Sequence, residues 1–401
     1  MRILFSHCKF PAQFRRLAPS LAERGHDVVF LANSKEWHAP EPAGFRLIGT
    51  ETHRPGGSEA LHPYLRRFEQ AVLEGQGVFR SCLELKEEGW EPDLAITHVG
   101  FGNGLYIRDA FPTARKIGFF EWFYNSSNSD VDFLQPGVIE RDQALRLRTW
   151  NAQTLMELAD CDVGVVPTQF QRQQFPDHLS SKLVVAHEGV DLDALSALRD
   201  KSLRRPSCLP EASDCEVLTY VSRGFEEYRG FPQVMKTIAM LQGRRPKLHV
   251  LVVGSDLVAY GSGRRDQRSW GEWARSDLPL DPERTHWMGP LQTAEYQAVL
   301  ACSDVHLYFT VPFVLSWSLI EAMAAGCCIV GSATAPVEEL LQDEHSARLV
   351  DFFDTTAQAR VIEELLEDPD QRYRLATAAA LKAHDYSSED GLNRWLQLIE
   401  L

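Results

Sequence analysis

The chain has 401 residues, 44% of them apolar and 24% charged, a globular composition with room for two domains of ordinary size. A formal charge of −15 argues against a nucleic-acid surface and against retention on anionic lipid by charge alone, though a local basic face could still dock. No apolar run approaches the roughly 20 residues of a membrane span. Residues 1–7 run straight into a strand pattern rather than a signal peptide, and the eight cysteines form no C-x-x-C pair, as expected of reduced, buried thiols in a cytosolic protein.

The first half alternates strands with helices. Ile3-Leu4-Phe5 is a short buried strand, and Phe14, Leu17, Ala18, Leu21 and Ala22 follow at helical spacing until Gly25 stops them. A strand follows within residues 27–33, a weaker one at 45–48, and a long helix at 64–86. Residues 93–97 and 115–120 are further strands, 152–159 is helical, and 163–167 is expected to be the last strand of this half. Such alternation predicts a doubly wound sheet, whose ligands gather at the carboxyl ends of its strands. Those ends carry His7, Asn33, His98 and Glu121, the polar groups a cleft needs. Gly100, Gly102 and Gly104 follow His98 and let backbone approach closely, but no Walker lysine accompanies them.

After residues 184–191, V-V-A-H-E-G-V-D, the polar, proline-dotted stretch 193–214 reads as a linker. The second half repeats the pattern with strands at 217–221 and 247–253, one ending at Trp287-Met288-Gly289, and others at 305–309 and 327–332. Ser222-Arg223, Gly254 and Thr310 stand at strand ends. The strand at 305–309 hands over to a short apolar helix through Ser316-Trp317-Ser318, so free backbone N–H groups point at whatever binds there, a usual way to hold phosphate without metal. Glu321 lies one turn inside that helix, also in S-x-x-E capping-box spacing from Ser318. Helices close the chain at 356–366, 371–383 and 386–401.

The run Ser318-Leu319-Ile320-Glu321-Ala322-Met323-Ala324-Ala325-Gly326 resembles the signature of the retaining family-four glycosyltransferases of GT-B fold, a Glu, seven residues, a second Glu, then A-M-A-x-G. Phe313 occupies the place of the first Glu. One branch of that family also opens with H-x-x-F-P-x-Q-F, matched at His7–Phe14, and carries a His before G-[WF]-G and an F-E-[FW] strand end, matched at His98–Gly102 and Phe120-Glu121-Trp122. The resemblance spans nearly the whole chain.

It implies an α/β fold of two Rossmann-like doubly wound domains facing across a cleft. Residues 1–192 would form the acceptor-side domain, 193–214 a linker, 215–384 the nucleotide-sugar domain, and 385–401 a helix crossing back to the first domain. It also implies roles. His98 would sit beside the donor sugar, and Arg223 and Arg229 would stabilise charge growing on the diphosphate. Ser222, Gly254, Met288, Ser316, Trp317, Ser318 and Glu321 would complete the donor site, with Glu321 on the ribose. Phe10, Gln13, Glu121 and Trp122 would meet the acceptor or sugar, although packing explains an aromatic such as Trp122 or Tyr124 equally well. The D-x-D pairs at 130–132, 160–162, 191–193 and 368–370 are expected by chance in an acidic chain, so no metal is expected. No cofactor is expected beyond the nucleotide-sugar substrate.

The implied function is retaining, metal-independent transfer of a sugar to an acceptor hydroxyl by a hexosyltransferase-type enzyme of bacterial glycan or glycoconjugate synthesis. The acceptor is a sugar, a lipid-linked glycan or a small molecule. The expected location is the cytoplasm, with the inner face of the cell membrane left open. Two alternatives stand beside it: a catalytically silent sugar-nucleotide-binding subunit, which would fit Phe313, and a nucleotide-sugar epimerase of the same fold.

Overall fold

The computed structural model describes all residues except 35–43, 55, 57, 58, 138, 197–204, 211–214 and 401. Most of the expected linker therefore lies outside the described residues; a short helix, Asp193–Ser196, occupies its start. The described chain divides into two compact units: Met1–Glu188 with Glu389–Leu401, and Gly189–Ser388.

The first unit is built on a seven-stranded sheet. Its strands are β1 (Arg2–His7), β2 (Asp27–Asn33), β3 (Arg46–Thr50), β4 (Leu94–His98), β5 (Arg115–Phe119), β6 (Val163–Val166) and β7 (Leu183–Val185), in the order β3-β2-β1-β4-β5-β6-β7. All the pairings are parallel. β1 and β4 read as unbroken apolar runs because both faces are covered by helices. One face packs Phe5, Phe14, Phe30 and Phe119 with Trp395 of the last helix, Ser388–Glu400. The expectation that residues 163–167 close the sheet is corrected here. β7 lies beyond them, paired parallel to β6, and takes in Val184 and Val185 from the stretch that precedes the expected linker. A helix at Arg141–Trp150 is also added; its charged residues hide its period.

The second unit has six parallel strands: β8 (Glu216–Gly224), β9 (Leu248–Ser255), β10 (Thr285–Gly289), β11 (Val305–Tyr308), β12 (Ile329–Ser332) and β13 (Arg348–Val350). Their order is β10-β9-β8-β11-β12-β13. Cys327 and Cys328 precede β12 rather than lying in it, and β13 is too short to announce itself in sequence. Each sheet therefore starts in the middle, winds outward one way, then returns to wind the other. The switch point falls between β1 and β4 in the first unit and between β8 and β11 in the second. In sheets of this kind the crevice for a ligand opens at the carboxyl side of those two strands.

Candidate functional site

The register of the first sheet sets Ser6 of β1 beside Thr97 of β4, so the next residues, His7 and His98, emerge together at its switch point. Their ring centroids are 4.2 Å apart. His7 Nδ1 accepts a hydrogen bond from the Lys9 amide at 2.8 Å, which leaves the ring proton on Nε2. That Nε2–H donates to Gln13 Oε1 at 2.8 Å, and Gln13 Nε2 donates to Glu121 Oε1 at 2.6 Å. Glu121 Oε2 lies 3.3 Å from His98 Nε2, out of line for a hydrogen bond, and both His98 ring nitrogens are buried without a hydrogen-bond partner among the described residues.

Burial and the neighbouring His98 hold the His7 imidazole well below its ordinary pKa, so it is neutral. Burial pushes the Glu121 carboxyl up, but the His98 charge and the contacts from His98 and Gln13 pull it down further, and it stays ionised. Gln171 fixes the Glu121 backbone by donating Nε2 to its carbonyl at 2.6 Å. His98, Gln13 and Glu121 are thus brought together from three separate segments. Phe10 and Trp122 are not part of that group: Phe10 is 5% exposed and meets Phe30 edge-on at 5.0 Å, and Trp122 packs on Phe170. Sequence reasoning gave no sign of Gln171, whose role depends on a contact 50 residues away in the chain.

Of the glycines after His98, Gly102 serves backbone approach. Gly102 has φ 92°, and a Cβ there would overlap the Ala71 carbonyl of the helix Arg66–Glu87. Beneath this loop lies a buried polar layer. Lys116 Nζ donates to the Gly104 carbonyl at 2.6 Å and pairs with Asp160 Oδ2 at 2.8 Å, and Gln153 donates to the Gly100 carbonyl. Glu157 completes it; burial pushes its carboxyl up to about 8 against the opposing pull of Lys116.

In the second unit, β8 ends in Ser222-Arg223-Gly224, where the Ser222 hydroxyl donates to the Gly224 carbonyl at 2.7 Å. Gly254, at φ 138°, sits so close that any Cβ would overlap the Ser222 carbonyl oxygen. The two arginines differ sharply. Arg223 is exposed, whereas Arg229 is buried, donates Nη1 to Thr310 Oγ1 and to the Val314 carbonyl at 3.0 Å each, and lies 5.4 Å from the centroid of the Tyr260 ring. Arg229 therefore ties the end of β8 to the loop after β11, across the switch point. Gly230, at φ 63°, makes room for that turn against Phe309. Phe313 packs between Tyr228 and Tyr260, with ring centroids at 5.3 and 5.1 Å. An aromatic group thus fills the place where the resemblance puts a carboxylate.

The helix Trp317–Ala324 starts at Ser316, whose side chain accepts from the Ser318 amide at 3.3 Å. The capping-box reading of Ser318 with Glu321 is therefore overturned, because the cap lies two residues earlier. Glu321 instead accepts the Tyr296 hydroxyl through Oε2 at 2.8 Å. Trp317 is half-buried at the head of this helix, and Met288 stands half-buried at the end of β10, with Cys208 Sγ 3.8 Å from its sulfur. A groove of about 480 Å³ beside Asp304, Cys328 and Arg372 lies at the opposite end of β11 and β12, away from these groups.

Residues 24–195 match the family described as glycosyl transferase family 4 group, and residues 209–382 match glycosyl transferases group 1. The chain belongs to the family-four glycosyltransferases. The first match begins after the His7–Phe14 motif. Among curated relatives, a D-inositol 3-phosphate glycosyltransferase of Nocardioides is 27% identical over 83% of this chain and 74% of its own length. One of Corynebacterium urealyticum is 25% identical over 63% of this chain and 56% of its own. Among solved structures, sucrose-phosphate synthase from Thermosynechococcus elongatus superposes with TM-score 0.72 at 19% identity, over 100% of this chain and 98% of that one. Anabaena HepE in complex with UDP and glucose gives 0.69 at 14%, over 100% and 99%. These structural likenesses place the fold of this glycosyltransferase in the GT-B class, built from two Rossmann-like units. Among the described residues no helix is long and apolar enough to cross a membrane, and no group of three or more His, Cys, Asp or Glu side chains is placed to hold a metal ion.

Proposed function

We propose that this glycosyltransferase takes a hexose from a nucleotide-sugar donor and passes it to an acceptor hydroxyl with retention at the anomeric carbon. The donor's nucleotide belongs to the second unit and the acceptor to the first. The observation that carries this reading is the pair of switch points. One presents His7, His98, Gln13 and Glu121; the other presents Arg223, Arg229 and the start of a helix that holds Glu321. HepE, a structural neighbour, holds UDP and glucose, which supports a donor of the same chemical class here.

In this reading Arg223 and the positive end of the dipole of the helix Trp317–Ala324 take the charge that grows on the leaving diphosphate. Arg229 shapes the same crevice from beneath through Thr310. Glu321 takes a ribose hydroxyl through the oxygen that Tyr296 leaves free. No metal or resident cofactor enters the scheme, and the working compartment in this reading is the cytoplasm.

A second reading rests on Phe313. With an aromatic in place of a carboxylate, the chain would bind a sugar nucleotide as a silent partner subunit. An epimerase would differ from both in needing no acceptor. A thermal-shift series with UDP, GDP, ADP and dTDP, with and without chelator, tests the donor site. A nucleotide at a hundred times its dissociation constant stabilises by about 2.7 kcal/mol. One nucleotide giving a chelator-resistant shift that is lost in Arg223→Ala is the expected result. No shift with any of them removes the donor-site assignment.

A further inference from the structure

Two arginines of the first unit lie against one indole ring, and neither is in an ion pair with a carboxylate among the described residues. Arg67, in the first turn of the helix Arg66–Glu87, has its guanidinium carbon 3.9 Å from the centroid of the Trp150 ring. Arg146 lies one turn before Trp150 on the helix Arg141–Trp150, and its guanidinium carbon is 5.4 Å from the same ring. Arg67 Nη1 also donates to the Tyr124 hydroxyl at 2.9 Å. Arg146 Nε is buried without a hydrogen-bond partner among the described residues. Asp142, one turn before Arg146, accepts the Tyr64 hydroxyl.

The mount is rigid. Asn151 is 3% exposed and grips Tyr124 twice, accepting its N–H and donating to its carbonyl, each at 2.8 Å. Tyr124 meets Trp150 at 5.3 Å, nearly edge to face. Stacking fixes a guanidinium plane while leaving its in-plane donors free, the geometry that receives an oxyanion. Two such cations beside one ring repel one another until an anion joins them. The location gives the pair a role: Tyr124 is three residues past Glu121, on the segment that leaves the carboxyl end of β5.

We infer that Arg67 and Arg146, mounted on Trp150 and Tyr124, form an anion subsite, and that the acceptor carries a phosphoryl group seated there. The two charges of a phosphate monoester match the two guanidiniums. The subsite stands on its own geometry; its assignment to the acceptor rests on the transferase reading.

The test is calorimetric titration of inorganic phosphate into the donor-free protein at low ionic strength. Wild type is expected to show a binding event that Arg67→Gln/Arg146→Gln weakens at least tenfold and that Arg223→Ala leaves in place. Arg67→Lys keeps the charge but loses the planar fork, and is expected to fall between. No event in wild type, or an unchanged event in the double variant with its melting temperature preserved, overturns the proposal. Because no donor is present, failure of the transferase reading leaves this result intact. Sedimentation with phosphatidic acid vesicles, against phosphatidylcholine vesicles, separates the two sources of phosphate. Co-sedimentation lost in the double variant identifies a lipid headgroup, and phosphate binding without co-sedimentation identifies a soluble phosphorylated acceptor.

Discussion

Tyr296 donates its hydroxyl to Glu321 Oε2 at 2.8 Å, which leaves Glu321 Oε1 for another partner. A capping role would have spent the carboxylate on the backbone. If Glu321 holds the ribose, Glu321→Ala removes a charge-assisted hydrogen bond worth about 1.5–3 kcal/mol. Donor affinity should then fall by roughly ten- to a hundredfold, with kcat changing less. Tyr296→Phe, which leaves the carboxylate in place, should weaken the donor only a few-fold. Calorimetry with the nucleotide checks both.

The two arginines of the second unit should part company on substitution. Arg229 is buried and holds Thr310 and the Val314 carbonyl, so Arg229→Ala should cost about 3 kcal/mol of stability as well as activity. Arg223 is exposed, so Arg223→Ala should change stability by no more than about 0.5 kcal/mol while lowering turnover. Urea unfolding run beside a turnover assay distinguishes the pair.

Burial holds the Glu157 carboxyl near 8 instead of its ordinary 4.5. The folded state therefore keeps a proton that the unfolded state gives up, and Glu157 favours folding fully below about pH 4.5. That contribution is lost as pH rises to about 8. Glu157→Gln cannot ionise, so its stability relative to wild type should improve between pH 5 and pH 8.5, by a few degrees in Tm. Lys116 and Asp160 remain as its charged neighbours. Melting curves at the two pH values read the difference directly.

Gly254→Ala should be among the most damaging single changes. Its Cβ would overlap the Ser222 carbonyl, and φ 138° strains any residue with a side chain. Loss of soluble expression or of cooperative unfolding would show it.

Strand positions were readable because parallel strands covered on both faces are continuous apolar runs, as Ile3-Leu4-Phe5 and residues 305–308 are. The strand ends located His7, His98, Arg223 and Thr310 for the same reason. What escaped the sequence was side-chain direction. Phe10 and Trp122 stand in ligand-like motifs yet turn inward, and Arg229 reads like Arg223 until its burial is seen. Pairings between distant residues also escaped. Gln13 and Glu121 are 108 residues apart, and nothing local joins them. β7 escaped because three residues carry too little pattern to separate a strand from a connecting segment.

The most direct test is release of nucleoside diphosphate from a panel of UDP-, GDP-, ADP- and dTDP-sugars, with water taking the glycosyl group in place of the acceptor and chelator present, by wild type and by His98→Ala and Glu321→Ala. The account predicts release from donors of one nucleotide class, reduced by about a hundredfold in His98→Ala and restored in Glu321→Ala only at high donor concentration. No release from any donor, or equal release by all three proteins, would contradict it.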